Sequence, residues 1–371
     1  MPTSQINRDS FRPTEPTSRS ESIQANLDLL PHADRDDFHA SYQSGKLIHP
    51  TTERGRSHLD RLVSAGSIVR PYPGTYALAL VWDRDSRRHQ TYQLVRTIAD
   101  MHPDWTFWGP TAAVIHGLAI SNRYLNVLHV SQGPCHRQNC THLCWHTDAR
   151  LETSLVSTTE VTSLAQTAFD CMRYLNFPHA LAIADSALRI QGAGPDWLRG
   201  AILSLRPRRV NARHALQVAQ FADARAESGG ESIARATMIQ LGFEVPDLQV
   251  ELVNGVSGGM NRVDFLWKLP NGQTVIGELD GRTKYYGEEV SAPGRRRATD
   301  HTIDQLADER LRESQLTLEG RVMRFSAQQA ANPAELEKLL YAYGVARPRG
   351  YQDFDFRKVI APWTGDAPKQ R

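Results

Sequence analysis

The stretch VDFLWKLPNGQTVIGELD, residues 263–280, decides how the chain is read. Two apolar runs, GMNRVDFLWKL (259–269) and TVIGELD (274–280), flank Pro270–Asn271–Gly272, and this punctuation predicts a β-hairpin. Loop length then sets which side chains meet. A two-residue Asn271–Gly272 turn pairs Asp264 with Leu279 and sends Glu278 to the other face. A three-residue loop centred on Asn271 pairs Asp264 with Glu278 directly. The second register is expected, because Pro270 suits the first loop position and Gly272 the left-handed one.

Working outward, ESIARATMIQLG (231–242) reads as a helix with a glycine stop and PDLQVELVN (246–254) as a strand. A long polar helix is expected at about 299–319, then a strand RVMRFS (321–326) and a closing helix at 334–343. The order is α-β-β-β-α-β. Glu231 opens its first helix. Two carboxylates across neighbouring strands, with a third on an adjoining helix, repel unless something neutralises them. Mg²⁺ or Mn²⁺ fits that need, since such ions bind through one or two carboxylates plus water and phosphate oxygens.

Nearer the N-terminus, TTERGRSHLDRLVSAGSIVRPYPGTYAL (51–78) predicts a helix capped by Thr51 or Thr52. Leu59, Leu62 and Val63 share its inner face, and Gly66 stops it. Ser67–Arg70, a Pro71–Gly74 turn and Thr75–Leu78 follow as a two-stranded wing, the order of a winged helix-turn-helix. Arg54, Arg56, His58 and Arg61 lie on or beside the recognition helix and are candidates for phosphate or base contact. The middle, about 90–205, mixes helices and short strands: WTFWGPTAAVIHGLAI (105–120) reads as a strand feeding a buried helix, and 161–190 as a helical pair broken at Pro178. A basic connector with Arg206, Arg208, Arg209 and Arg213 leads onward.

The expected architecture is thus α+β or α/β and multidomain: a leader at 1–22, a winged helix-turn-helix at 23–88, a mixed middle domain and connector at 89–215, an αβββαβ core at 216–347 and a tail at 348–371. The leader is rich in Ser, Thr, Pro and Arg and is expected to be disordered.

Composition narrows the function classes. The 371 residues are 40% hydrophobic and 23% charged, with four cysteines, so this is no disulfide scaffold. The longest apolar stretch, YALALVW (76–82), is too short for a membrane span, and residues 1–22 lack the apolar core of a secretory signal; a cytoplasmic location without membrane contact is expected. There are 37 arginines against six lysines, yet the formal charge is only +2, which argues against a broad phosphate-binding surface. The cluster Cys135, His136, Cys140, His142, Cys144, His146 lacks the paired C-x₂-C knuckles of familiar structural zinc sites, and zinc is not expected from it.

Two resemblances sharpen these expectations. RLVSAGSIVRPYPGTYAL (61–78) resembles the helix end, glycine stop and wing of the AbiEi-type antitoxins and related actinobacterial proteins. VDFLWKLPNGQTVIGELDGRTKYYG (263–287) resembles the PD-(D/E)XK restriction-endonuclease-like core, in the branch related to very-short-patch-repair endonucleases. That second likeness covers about 231–326. It implies that Asp264 is the first metal-binding aspartate, Glu278 the second acid and Glu231 the helix-start glutamate. The superfamily's lysine is replaced by Asp280, which could add a metal ligand, and Lys284 stands nearby as the catalytic cation. Arg310 stands where related sequences tend to carry a lysine, and the run Arg295, Arg296, Arg297 lies where a DNA backbone could pass. The implied function is a metal-dependent endonuclease, a hydrolase acting on nucleic acid, expected to be double-stranded DNA. The alternative is an AbiEi-like antitoxin or transcriptional repressor with a catalytically inactive nuclease-like domain, for which a cognate toxin and a second copy of the chain are the expected partners.

Overall fold

A computed structural model describes residues 23–24, 27–131, 139–147, 151–205, 209–256, 258–280 and 311–348. The chain divides into two compact units, residues 1–104 and 105–371, and has mixed α and β structure in both. Among the described residues no helix is long and apolar enough to cross a membrane. The leader 1–22 and nearly all of the tail fall outside the described residues.

In the first unit, α1 (His32–Ser44) and α2 (Glu53–Ser64) precede β1 (Ile68–Tyr72), β2 (Thr75–Leu78), α3 (Ala79–Arg84) and α4 (Arg87–Met101). Thr52 caps α2: its hydroxyl accepts the Gly55 N–H at 3.1 Å, satisfying one orphan donor of the first turn. Gly66, at φ +81°, closes the helix. Leu59, Leu62 and Val63 face inward onto Phe38, Ile68, Tyr76 and Leu78, so the helix and hairpin share one core. The wing differs from expectation in one detail. β1 runs through Pro71 to Tyr72, and the turn is Pro73–Gly74 with Gly74 at φ +78°. The register slips between Val69 and Tyr72, and that irregularity accommodates a proline with no N–H to give to the ladder. The unit continues to Asp104 rather than stopping near 88, because α4 is tied back to the segment after α1. The Thr97 hydroxyl accepts the Leu47 N–H at 2.8 Å, and Lys46 pairs with Asp100 at 2.6 Å.

Among the described residues the second unit holds two sheets. The first contains β3 (Thr106–Phe107), β4 (Leu128–Ser131), β5 (Leu143–His146), β6 (Thr153–Val156) and β7 (Thr159–Thr162) in the order β5-β4-β3-β7-β6. β3 leads, as expected, into the buried helix α5 (Gly109–His116). The helical pair α6 (Leu164–Met172) and α7 (Phe177–Gln191) parts at residues 173–176. Pro178 sits inside the first turn of α7, where a missing N–H costs nothing, so it begins that helix rather than breaking it. Two further helices, α8 (Pro195–Leu205) and α9 (Ala212–Ala219), complete this part.

The second sheet follows α10 (Gly229–Gln240). Its strands β8 (Asp247–Val253), β9 (Met260–Lys268), β10 (Thr274–Asp280) and β11 (Arg321–Ser326) lie in the order β11-β10-β9-β8. β10 and β11 are parallel, the other pairs antiparallel. Parallel neighbours need a crossover, and residues 311–316 at its end are helical. The sheet buries Phe265, Trp267, Val275, Met323 and Phe325 against Ala234 and Met238 of α10 and Leu336 and Leu340 of α12 (Pro333–Ala342), which follows the short α11 (Ala327–Ala331). Gly277 is required by this packing: a Cβ there would lie 2.9 Å from Trp267 Cζ3 and 3.0 Å from Phe265 Cβ.

Candidate functional site

The β9–β10 hairpin closes through Leu269 and Gln273, with Gly272 at φ +82°, so the loop is the three residues Pro270–Asn271–Gly272. Thr274 faces Lys268 and Gly277 faces Phe265. One step further along this register stand Asp264 and Glu278, but the ladder ends before them. The strands part there, and the Asp264 side chain fills the fork: its Oδ2 accepts the Leu279 N–H at 2.9 Å. A carboxylate has thus taken the place of a backbone acceptor.

On the other side of β9, the register with β8 sets Leu248 against Phe265 and Val250 against Val263, which brings Gln249 level with Asp264. Gln249 has φ +50°, a left-handed conformation that costs a residue with a Cβ on the order of 1 kcal/mol or more. Its amide Nε2 donates to Asp264 Oδ1 at 3.2 Å and to Glu231 Oε2 at 2.9 Å. The strained strand residue therefore bridges two acids.

Glu231 is only 6% exposed and lies in the first turn of α10. Its Oε1 accepts the Ser228 hydroxyl at 2.8 Å, and its Oε2 also takes the Glu227 N–H at 2.9 Å, while Ser228 caps the Glu231 N–H in return. The helix is seated closely on the fork, since a Cβ on Gly230 would come within 2.9 Å of Leu279 Cδ2.

Glu278 is gripped by Arg312, whose two terminal nitrogens lie 3.2 and 3.5 Å from its oxygens. Arg312 also donates to the Arg262 carbonyl at 2.6 Å, fixing the guanidinium at the fork. Burial first, and the charge of Asp264 second, push the Glu278 carboxyl up to about 7 against the pull of Arg312. Burial likewise raises Asp264 and Glu231, and Asp264 adds to the rise at Glu231. All three acids are thus held where negative charge is costly.

The sequence-predicted residues divide accordingly. Gln249 bridges Asp264 and Glu231, while Glu278 lies one step beyond the last ladder pair and is held by Arg312. Asp280 does not join them as a ligand: Arg324, on the paired strand β11, donates to its Oδ1 at 2.8 Å and reaches Glu313 as well. No three of these acids bring their oxygens within 4.8 Å of one another. Lys284, Arg295, Arg296, Arg297 and Arg310 lie outside the described residues. On α2, Arg54, Arg56 and Arg61 are exposed, whereas His58 is turned toward α1 and bonds Asp34 at 2.9 Å.

No protein-family profile matches this chain, and no solved structure matches it. Two Mycobacterium tuberculosis proteins do: uncharacterized protein Rv2248 of strain H37Rv and uncharacterized protein MT2308 of strain CDC 1551. Each is 33% identical to it over 221 residues, spanning 57% of this chain and 74% of the relative. At that identity and coverage, the chain belongs to the family of these two mycobacterial proteins.

Proposed function

We propose that this is a DNA-associated protein whose Asp264–Glu278 fork is a metal-dependent phosphodiesterase site of PD-(D/E)XK type. The observation that carries the reading is the fork itself. Two partly buried carboxylates lie where the hairpin opens, and the charge of Asp264 helps to push Glu278 up to about 7. A divalent cation relieves that repulsion, and an oxygen-only donor set of this kind suits Mg²⁺ or Mn²⁺. Asp264 and Glu278 would hold it, and the bound cation would polarise a phosphodiester and lower the pKa of an attacking water.

The other residues position these two. Gln249 and Glu231 orient Asp264 from behind, and the Leu279 N–H fixes its second oxygen. Arg312 presents a planar fork of donors and no acceptor, so it steers Glu278 or a phosphate oxygen. Asp280 is neutralised by Arg324 and serves as an ion-pair partner at the position of the superfamily's lysine. In the first unit, the helix, glycine stop and hairpin support a winged helix-turn-helix, with Arg54, Arg56 and Arg61 free to reach phosphates or base edges.

A second reading has its own observation. Arg312 already supplies positive charge to Glu278, which is what a domain that has lost its metal would need. That favours an AbiEi-like antitoxin or repressor whose nuclease-like part serves binding only.

Cleavage separates the two. The purified full chain with Mg²⁺ or Mn²⁺ is expected to cut double-stranded DNA, and Asp264→Ala to lose the activity while still binding DNA. Intact DNA and RNA in every condition, with metal-independent DNA binding, select the repressor.

A further inference from the structure

Of the cysteines and histidines at 135–146, Cys135 and His136 lie outside the described residues, while Cys144 and His146 meet a histidine from outside that cluster. β4 and β5 are parallel, with His129 beside Cys144 and Ser131 beside His146. Side chains two apart on a strand share a face, so Cys144 and His146 look the same way and His129 joins them from the next strand. His129 Nδ1 and His146 Nε2 face each other at 3.0 Å, and with the Cys144 sulfur the three ligand atoms all lie within 4.8 Å of one another. We propose that His129, Cys144 and His146 hold a Zn²⁺ ion that pins the edge strand β5 to β4.

The donor spacing, 3.0 Å between the two imidazole nitrogens and within 4.8 Å for all three atoms, lies close to what the ion takes. Tetrahedral zinc with bonds of about 2.0–2.3 Å to nitrogen and sulfur places neighbouring donors roughly 3.3–3.7 Å apart. Two imidazoles and a thiolate are a borderline-soft set, which selects zinc over Mg²⁺ or Ca²⁺. His129 is fully buried and His146 partly buried, with Arg173 nearby. Arg173 is itself paired with the buried Asp170 at 2.8 Å, so it does not oppose a cation as a lone charge.

The surroundings hold the ligands in place. Trp108 stacks on the His146 ring at 3.9 Å between centroids, and its backbone N–H donates to the His129 carbonyl at 2.9 Å. The Thr111 hydroxyl accepts the His129 N–H at 2.7 Å, and the Ser131 hydroxyl donates to the His146 carbonyl at 2.9 Å. Such backbone and ring contacts fix ligand orientation. Three protein ligands leave a fourth position for water or another donor. This site is independent of the carboxylate fork.

The test is metal stoichiometry on the full chain, followed by Co²⁺ in place of zinc. One equivalent per chain is expected, with the intense visible absorption of tetrahedral cobalt and a thiolate charge-transfer band. Cys144→Ser should lose that band, and His129→Gln should weaken binding at least tenfold; Cys140→Ser, changing an exposed cysteine outside the trio, should keep both. An independent readout needs no variant: zinc should slow alkylation of Cys144 relative to Cys140, and a chelator should restore it. Less than a tenth of an equivalent bound, a charge-transfer band that survives Cys144→Ser, or Cys144 alkylation unaffected by zinc would overturn the proposal.

Discussion

Asp185→Ala is expected to lower the stability of the second unit by about 3–5 kcal/mol, measured by chemical denaturation. Asp185 and Arg235 form an ion pair at 2.8 Å with 0% and 4% of their side chains exposed. Asp185 lies on α7 and Arg235 on α10, so the pair joins the helical part of the unit to the helix that carries Glu231. Asp185 also accepts the Asp223 N–H at 2.8 Å, and Arg235 donates to the Phe221 carbonyl at 2.7 Å. Removing one partner strands a buried cation and an amide in a site that water does not reach, and the loss exceeds the net worth of the pair. Asp185→Leu combined with Arg235→Met should recover most of the stability, because the desolvation cost vanishes with both charges. An Asp185→Ala effect below about 1 kcal/mol would show that the pair does not anchor α10.

Glu278→Gln is expected to stabilise the metal-free protein by about 2 kcal/mol above pH 7, and by nothing below about pH 4.5. The sign follows from the raised carboxyl, about 7 in the folded chain against an ordinary 4.5. The folded state keeps its proton longer than the unfolded state. Wild-type stability is therefore complete below the unfolded value and declines as pH rises through 7. Glutamine mimics the protonated form and escapes the decline, less what is lost when Arg312 gives up its charged partner. Melting curves of both proteins at pH 4.5 and 8 provide the check; a variant less stable than wild type at pH 8 would mean that Arg312 more than offsets burial and the Asp264 charge.

The hairpin was legible because its punctuation is local. Pro270 and Gly272 specify a three-residue loop, which fixes the register up to Gly277 and Phe265, one step short of Asp264 and Glu278. β10 and β11 were equally plain, since their apolar residues and flanking glycines bound them to 274–280 and 321–326. What the sequence did not reveal depends on distant chain segments. Nothing marks Gln249 for a left-handed backbone, as glycine or asparagine would have been marked, so its bridge between Glu231 and Asp264 emerges only when β8 pairs with β9. Arg312 and Arg324 reach their acids through the β10–β11 crossover, whose length hides the pairing. His129 lies outside the cysteine–histidine cluster and enters it only through the parallel pairing of β4 and β5. Pro71 reads as part of the turn in the sequence, and the register slip that admits it to β1 leaves no trace there.

A calorimetric titration of the full chain with Mn²⁺ or Mg²⁺, for wild type and Glu278→Ala, bears most directly on the fork. The account predicts one cation bound per wild-type chain, with affinity weakening as pH drops below about 7 and Glu278 takes up a proton, and no binding in the variant. Equal heats from both proteins, or none from the wild type at pH 8, would contradict it.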